Sequence, residues 1–287
     1  MEKIQIFIQL TRLAKPIGFL LLFWPCAWGL TLAYYYNQDT SLYIDHLLLF
    51  FLGSVLMRSA GCIVNDIVDK DFDKKVSRTK ERPIASGKIS IYEALIYVFF
   101  LCSFAFIVLL QFNSLTIILG MGSMILAFGY PFMKRFTYWP QLFLGLTFNW
   151  GIIMGWTSLM NNISIEPIII YISAIFWTLG YDTIYGLQDM HDDEIIGVKS
   201  TSIKFKNHVK VFVGACYGVC TSFILILFFM MEINKYFLIL SILFIISLIY
   251  QIQIFKVNNA QSCLSAFKTN NLTGIFIFLF IFSFNLA

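Results

Sequence analysis

An all-α membrane protein is the fold class that this 287-residue chain predicts, and three observations predict it. Hydrophobic residues make up 59% of the chain and charged residues only 13%. The mean hydropathy is +0.79. Apolar runs of about twenty residues recur without two-residue alternation, which is the length of a helical crossing and not the pattern of a barrel strand. The first two observations exclude a soluble globular domain. At about twenty residues per crossing, the chain holds nine spans and short loops, so 1–287 reads as a single transmembrane domain.

The first candidate span, 16–35, follows Lys3, Arg12 and Lys15 and continues well beyond signal-peptide length, so it is expected to be retained. Further spans are expected near 43–64, 90–112, 114–131, 140–160, 164–187, 209–231, 235–254 and 271–286. Eighteen of the twenty Lys and Arg lie at the N-terminus or around the connections after spans two, four, six and eight. The other two are Lys235 and Arg58, the latter inside span two. The positive-inside rule therefore makes the N-terminus and these connections cytoplasmic and puts the C-terminus on the opposite side. A chain that starts almost at its first span looks like a bacterial inner-membrane protein, with a processed mitochondrial form as the alternative. The six cysteines are dispersed through apolar stretches with no CxxC pair, and the three histidines are scattered, so transition-metal chemistry is not expected.

Acidic residues are concentrated further still: nine of sixteen fall in 66–73 and 182–194. The first segment reads NDIVDKDFD (65–73), and on a helix Asn65, Asp66, Asp69 and Asp73 share a face. The second contains Asp182, Tyr185, Asp189 and Asp193, again at helical spacing. Aligned carboxylates repel one another and call for a compensating cation. Hard oxygen ligands suit Mg²⁺, which keeps waters and binds one or two carboxylates together with substrate phosphates, so two opposed faces could hold a diphosphate. A solvated loop rich in Asp would explain either segment alone. Two segments on one membrane side, the second starting inside an apolar helix, favour function.

Cations lie nearby. Arg78, Lys80 and Arg82 follow the first segment, and Lys134 and Arg135 follow Tyr130 and Pro131. They suit a leaving diphosphate and also serve as topology determinants. Arg58 lies seven residues before Asn65 on the same helix face, where it could pair with Asp66 or bind an anionic substrate. With 31 Phe, 14 Tyr and 6 Trp, the chain has rings enough to line a cavity for an isoprenoid tail and its allylic cation, though composition does not say which rings do so.

These residues resemble the UbiA superfamily of intramembrane aromatic prenyltransferases, whose signatures NDxxDxxxD and DxxYxxxD appear without substitution at 65–73 and 182–189. Further stretches are similar to its 4-hydroxybenzoate polyprenyltransferase branch: LTRLAKPIG (10–18) with Trp24 and Pro25, MRSAGCIVND (57–66), RPIASG (82–87), YPFMKRFTYWPQ (130–141), YDTIYGLQDMHDD (181–193) and IGVKST (196–201). Gly186 departs from the Ala often found in that branch. The resemblance implies nine transmembrane helices around a central cavity, capped by cytoplasmic loops that carry the acidic motifs. It implies Mg²⁺ held by Asp66, Asp69, Asp73, Asp182, Asp189 and Asp193, with Asn65 as a neutral oxygen ligand. It further implies that Lys134, Arg78 and Arg82 assist departure of diphosphate, that Arg58 or Arg135 binds the acceptor carboxylate, and that Tyr185 orients an Asp or the diphosphate. The implied partners are a polyprenyl diphosphate, 4-hydroxybenzoate and the lipid bilayer, with no nucleic acid, and the implied product is a ubiquinone precursor. Naphthoate, haem or chlorophyll precursors remain alternative acceptors, because the acidic motifs serve the donor. A phosphatidyl-alcohol transferase lacks support, since its DGxxAR motif is absent. A cation-coupled transporter using Asp182 and Arg58 would place its acids nearer midplane.

Overall fold

The computed structural model describes residues 2–231 and 235–286. The connection between the seventh and eighth expected spans lies outside them. A short amphipathic helix, α1 (Glu2–Thr11), ends at Arg12, which takes a left-handed φ of 55°. The chain then enters α2 (Ile17–Asn37) and α3 (Thr40–Val68), the latter started by Asp39, whose side chain accepts from the Leu42 N–H. A one-turn helix, α4 (Lys70–Asp73), and a loop lead to α5 (Ile91–Leu109), which opens on a Ser90/Glu93 capping box. Asn113 caps α6 (Ser114–Gly129), which continues through a tight turn at Tyr130–Phe132 into α7 (Met133–Phe136). The helices α8 (Pro140–Asn149), α9 (Gly151–Met160) and α10 (Ile165–Gly186) follow. After α11 (Met190–Ile196) and α12 (Thr201–Lys204) come α13 (Val209–Met230), α14 (Lys235–Ile254), α15 (Ala260–Lys268) and α16 (Asn270–Phe282).

Among the described residues, eight segments are long and apolar enough to cross a membrane, and Leu238–Ile254 is an additional, shorter apolar helix. The expected spans correspond to these elements, with three differences. The span expected at 140–160 is interrupted at Trp150, where Asn149 turns its amide inward to the Gly145 and Ala174 carbonyls and the Thr178 hydroxyl. The last segment reaches back to Ala260, because α15 is amphipathic and its polar Gln261, Ser262 and Ser265 hide it from a hydropathy reading. The third difference is α1, a helix that lies before the first expected span. Its Leu10 is fully buried beside Ile63 and Ile84, and its Phe7 ring meets that of Tyr97.

Close helix approach sets the core. Gly29 of α2 faces the Ile152 backbone of α9, and Gly155 faces the Cys26 carbonyl, so a β-carbon at either would strike main chain. Trp28 and Trp177 pack at 5.2 Å beneath the acidic ends of α3 and α10. On the other side, Tyr217 donates to Gln251 at 2.6 Å and Gln251 donates to Thr273 at 3.0 Å, tying α13, α14 and α16 together through polar groups that lipid could not satisfy.

Candidate active site

The last turns of α3 and α10 bring the two acidic segments to one end of the bundle. Asp69 interrupts the predicted continuous helix by capping α3, yet its N–H still bonds the Asn65 carbonyl and its own carbonyl receives the Asp73 N–H at 2.8 Å. The helical register is thereby kept. Asp66, Asp69 and Asp73 are 2%, 3% and 6% exposed.

Each of these buried acids meets a cation. Asp66 pairs with Arg12 at 2.5 Å and with Arg82 at 3.1 Å, and Arg82 also holds Asp73 at 2.9 Å. Lys134 of α7 reaches Asp69 at 2.5 Å, and the Asn65 amide donates to Asp69 at 3.1 Å. The other Asp69 oxygen is buried without a hydrogen-bond partner. Burial pushes the Asp69 carboxyl above its ordinary value, and Lys134 opposes that rise.

The second segment is tied to the first by the loop after α4. Arg78 forms a two-pronged ion pair with Asp189, its Nε donating at 2.7 Å, and the Ser77 N–H donates to Asp192 at 3.1 Å. The pair holds the Arg78 guanidinium in its charged form. Its carbon lies 5.7 Å from the centre of the Tyr185 ring, which rests against Phe267. Asp193 has no salt bridge among the described residues, and burial followed by the charge of Asp189 raises its carboxyl to about 6. Asp182, deeper in α10, likewise has no bonded cation among the described residues, and the cation that acts on it is Arg58.

Arg58 lines a cleft together with residues of α2, α3, α5, α6, α8 and α9. Its guanidinium lies 5.3 Å from the Phe148 ring centre, and its Nε has no hydrogen-bond partner among the described residues. From Gly61 to Leu49, the cleft follows α3 for about 18 Å at 1.5 Å per residue. Its walls are almost wholly apolar beyond Arg58 and Tyr130, and it opens between α5 and α6, where the lining residues Phe106 and Met121 are 44% and 50% exposed.

The structure thus gathers Asn65, Asp66, Asp69, Asp73, Arg78, Arg82, Lys134, Tyr185, Asp189 and Asp193 around one mouth, with Asp182 and Arg58 below it. Arg135 is elsewhere: it donates to the Val68 carbonyl at 2.8 Å and stacks between Phe72 and Phe132, each 5.4 Å away. Of the two arginines expected at the acceptor carboxylate, Arg58 is the one that lines the cleft. In the sequence Arg12 stands only among the N-terminal cations that set topology, and the packing of α1 reveals it at Asp66. Among the described residues, no three Asp, Glu, His or Cys side chains converge as a ready cage for a metal. Arginines and a lysine stand between the carboxylates instead. The donor set nevertheless fits Mg²⁺ in kind: hard oxygens, an Asp69 oxygen with no hydrogen-bond partner among the described residues, and a carboxyl at Asp193 held high by burial and by the neighbouring Asp189. Mg²⁺ needs few protein ligands where phosphate oxygens complete its shell.

An acid-and-cation mouth above an apolar cleft within a helical bundle defines an intramembrane protein built for an anionic head on a lipid tail. The chain belongs to the UbiA prenyltransferase family, whose profile matches residues 22–282. It is 43% identical to a protein of Caenorhabditis elegans named 4-hydroxybenzoate polyprenyltransferase, mitochondrial, over 95% of this chain and 76% of that one. It is 41% identical to the 4-hydroxybenzoate octaprenyltransferase of Psychromonas ingrahamii, over 98% and 96%. Among solved structures, a UbiA homolog from Aeropyrum pernix K1 superimposes with a TM-score of 0.77 at 21% identity, covering 92% of this chain and 97% of that one. One from Archaeoglobus fulgidus bound to GPP and Mg²⁺ gives 0.74 at 19%, covering 98% and 100%. At these identities the structural likeness speaks for the fold.

Proposed function

We propose that this protein transfers an all-trans polyprenyl group from a polyprenyl diphosphate to the 3-position of 4-hydroxybenzoate, releasing diphosphate and yielding a ubiquinone precursor. The observation that carries the reading is the junction at Arg58, a cation whose Nε has no hydrogen-bond partner among the described residues, between a mouth of carboxylates and basic groups and an apolar cleft about 18 Å long. A diphosphate suits the mouth, a prenyl tail the cleft, and a benzoate carboxylate the cation between them. The names of the relatives from C. elegans and P. ingrahamii support this acceptor.

Asp66, Asp69, Asp73, Asp189 and Asp193 would hold Mg²⁺ with Asn65 beside them, and Asp182, lower and facing Arg58, would join the diphosphate end to the acceptor end. When bound, Mg²⁺ supplies positive charge to the diphosphate. As the prenyl C1–O bond breaks, its electron pair goes to diphosphate, and Arg78, Arg82 and Lys134 neutralise the charge that develops. The ring carbon ortho to the phenol attacks prenyl C1. Loss of that carbon's proton restores aromaticity, and Asp182, with no salt bridge among the described residues, is the base at hand. Tyr185 supports Arg78 at the mouth, and the apolar lining excludes water from the allylic cation. With Lys and Arg concentrated at this end, the mouth and the N-terminus are cytoplasmic and the C-terminus is opposite, in a bacterial inner membrane.

The test is incubation of the detergent-purified protein with Mg²⁺, geranyl diphosphate and labelled 4-hydroxybenzoate, with and without EDTA, followed by extraction and mass analysis. A prenylated benzoate that forms only with metal is expected. Its absence with both short and long donors, or product formation only from a naphthoate, overturns the assignment.

A further inference from the structure

Arg12 has no place in the reaction just described, yet three observations set it apart from the other N-terminal cations. It makes one of the shortest ion pairs at the mouth, 2.5 Å to Asp66, across 54 residues of sequence. It does so from a left-handed backbone, φ 55°, a conformation that side chains with a β-carbon rarely adopt and that persists where surrounding structure enforces it. That structure is α1: Leu10 is fully buried beside Ile63, one turn before Asp66, and Lys15 N–H closes the turn on the Arg12 carbonyl at 2.8 Å. Its outer residues Ile4 and Ile8 stay exposed, so α1 is anchored by one face only.

Asp66 therefore has two cations, Arg12 and Arg82, and Arg82 is shared with Asp73. A divalent cation that takes Asp66 as a ligand must displace one of them. Arg82 retains a carboxylate when it leaves Asp66, whereas Arg12 has no other ion pair among the described residues. We propose that Arg12 is a counter-ion in exchange: it neutralises Asp66 in the metal-free site and, when metal takes that carboxylate, its guanidinium turns to the diphosphate of the donor. The inference rests on the metal-and-diphosphate reading of the mouth. It makes Arg12 a donor-binding residue that α1 delivers, and it gives the two ligands opposite dependences on one side chain. Without Arg12, Asp66 keeps more negative charge for a metal ion alone, while a diphosphate loses a charge-assisted, two-pronged donor.

The experiment uses the full-length protein in detergent and two probes that need no turnover. Mn²⁺ alone is titrated with free ion read by electron paramagnetic resonance, and inorganic diphosphate is titrated calorimetrically at saturating Mg²⁺. Arg12→Gln should bind Mn²⁺ several-fold more tightly and diphosphate roughly tenfold more weakly, the loss expected for one charged hydrogen-bond donor. Arg12→Lys, which keeps the charge but not the fork, should restore part of the diphosphate affinity. Affinities that fall together, or stay unchanged in a variant whose thermal midpoint matches the parent, overturn the proposal, since a structural role for α1 cannot move them in opposite directions. Asp66→Asn separates the two readings. If Mn²⁺ binding survives that change, the metal reading fails and takes this one with it; if binding is lost there but Arg12→Gln matches the parent, only the exchange fails.

Discussion

The two acidic segments have similar spacings in sequence and opposite surroundings in the fold. Around Asp66, Asp69 and Asp73, three cations from α1, the loop before α5 and α7 make four close ion pairs, and the carboxylates are nearly inaccessible. In the second segment, Asp189 borrows Arg78 from the first segment's own loop, while Asp182 and Asp193 have no salt bridge among the described residues. A helical repeat of carboxylates identifies an oxygen-bearing face. It does not say whether that face is already neutralised, because the neutralising groups arrive from elsewhere in the chain. One segment is built as a closed ion network and the other is left short of positive charge, so an incoming cation has most to gain at the seam between them.

The sharpest way to break this comparison is to delete one acid from each side. Asp66→Ala and Asp189→Ala should both abolish turnover, measured as prenylated product, while leaving membrane insertion intact; retained turnover in either removes that residue from the site. Their stabilities should differ. Asp66→Ala strands Arg12, which has no other ion pair among the described residues, while Arg82 keeps Asp73; breaking a buried pair costs on the order of 3–5 kcal/mol, so its thermal midpoint in detergent should fall clearly. Asp189→Ala frees an arginine that is 39% exposed, and such pairs contribute about 0–1 kcal/mol. Equal losses of stability would mean that the two segments are alike after all.

Next in size is the junction below both segments. Arg58→Ala should raise the apparent KM for 4-hydroxybenzoate by roughly 10- to 100-fold, the scale of a charged hydrogen bond of about 1.5–3 kcal/mol, with little change for the diphosphate. A common rise for both substrates returns Arg58 to a structural role.

How far the sequence could see follows from the same contrast. Hydropathy marks the spans because lipid demands it, and the acids are visible because Asp within or beside a span is costly unless it is used. Arg58 stood out for the same reason. The amphipathic α1 and α15 were not legible, since each buries a single face against neighbours and its polar residues end the apolar run. Nor was the pairing of Arg12 with Asp66 or of Arg78 with Asp189, 54 and 111 residues apart, because nothing local to either partner encodes it. Spacing singled out the acids that the fold gathers at one end of the bundle; only packing told which cations hold them.

A smaller effect is expected from pH, and it falls on Asp193 of the second segment. Asp193 sits at about 6, above the ordinary carboxyl value near 3.9, because it is buried and faces Asp189. Between about pH 4 and 6 the folded protein therefore holds a proton that the unfolded chain has released. Falling pH through this window stabilises the metal-free protein through this group, and rising pH through 6 removes that stability. Metal needs the deprotonated form, so affinity for Mn²⁺ should fall about tenfold per unit below pH 6. Asp193→Asn should flatten this limb; a limb unchanged in that variant assigns the proton to another group.

The smallest effect tests the arginine that the fold sets aside. Arg135 caps the end of α3 through the Val68 carbonyl, between two phenylalanine rings, and is exposed. A cation at a helix C-terminus contributes about 0.3–1 kcal/mol. Arg135→Gln should therefore lower the thermal midpoint slightly and leave the KM for 4-hydroxybenzoate within about twofold of the parent, a change of about 0.4 kcal/mol. The two arginines, both expected from the sequence at the acceptor carboxylate, differ in what the structure gives them to hold: Arg135 already has a carbonyl, and Arg58 lines a cleft with a nitrogen that has no hydrogen-bond partner among the described residues. A large KM effect at Arg135 and none at Arg58 would reverse that assignment and move the acceptor from the cleft to the rim of the mouth.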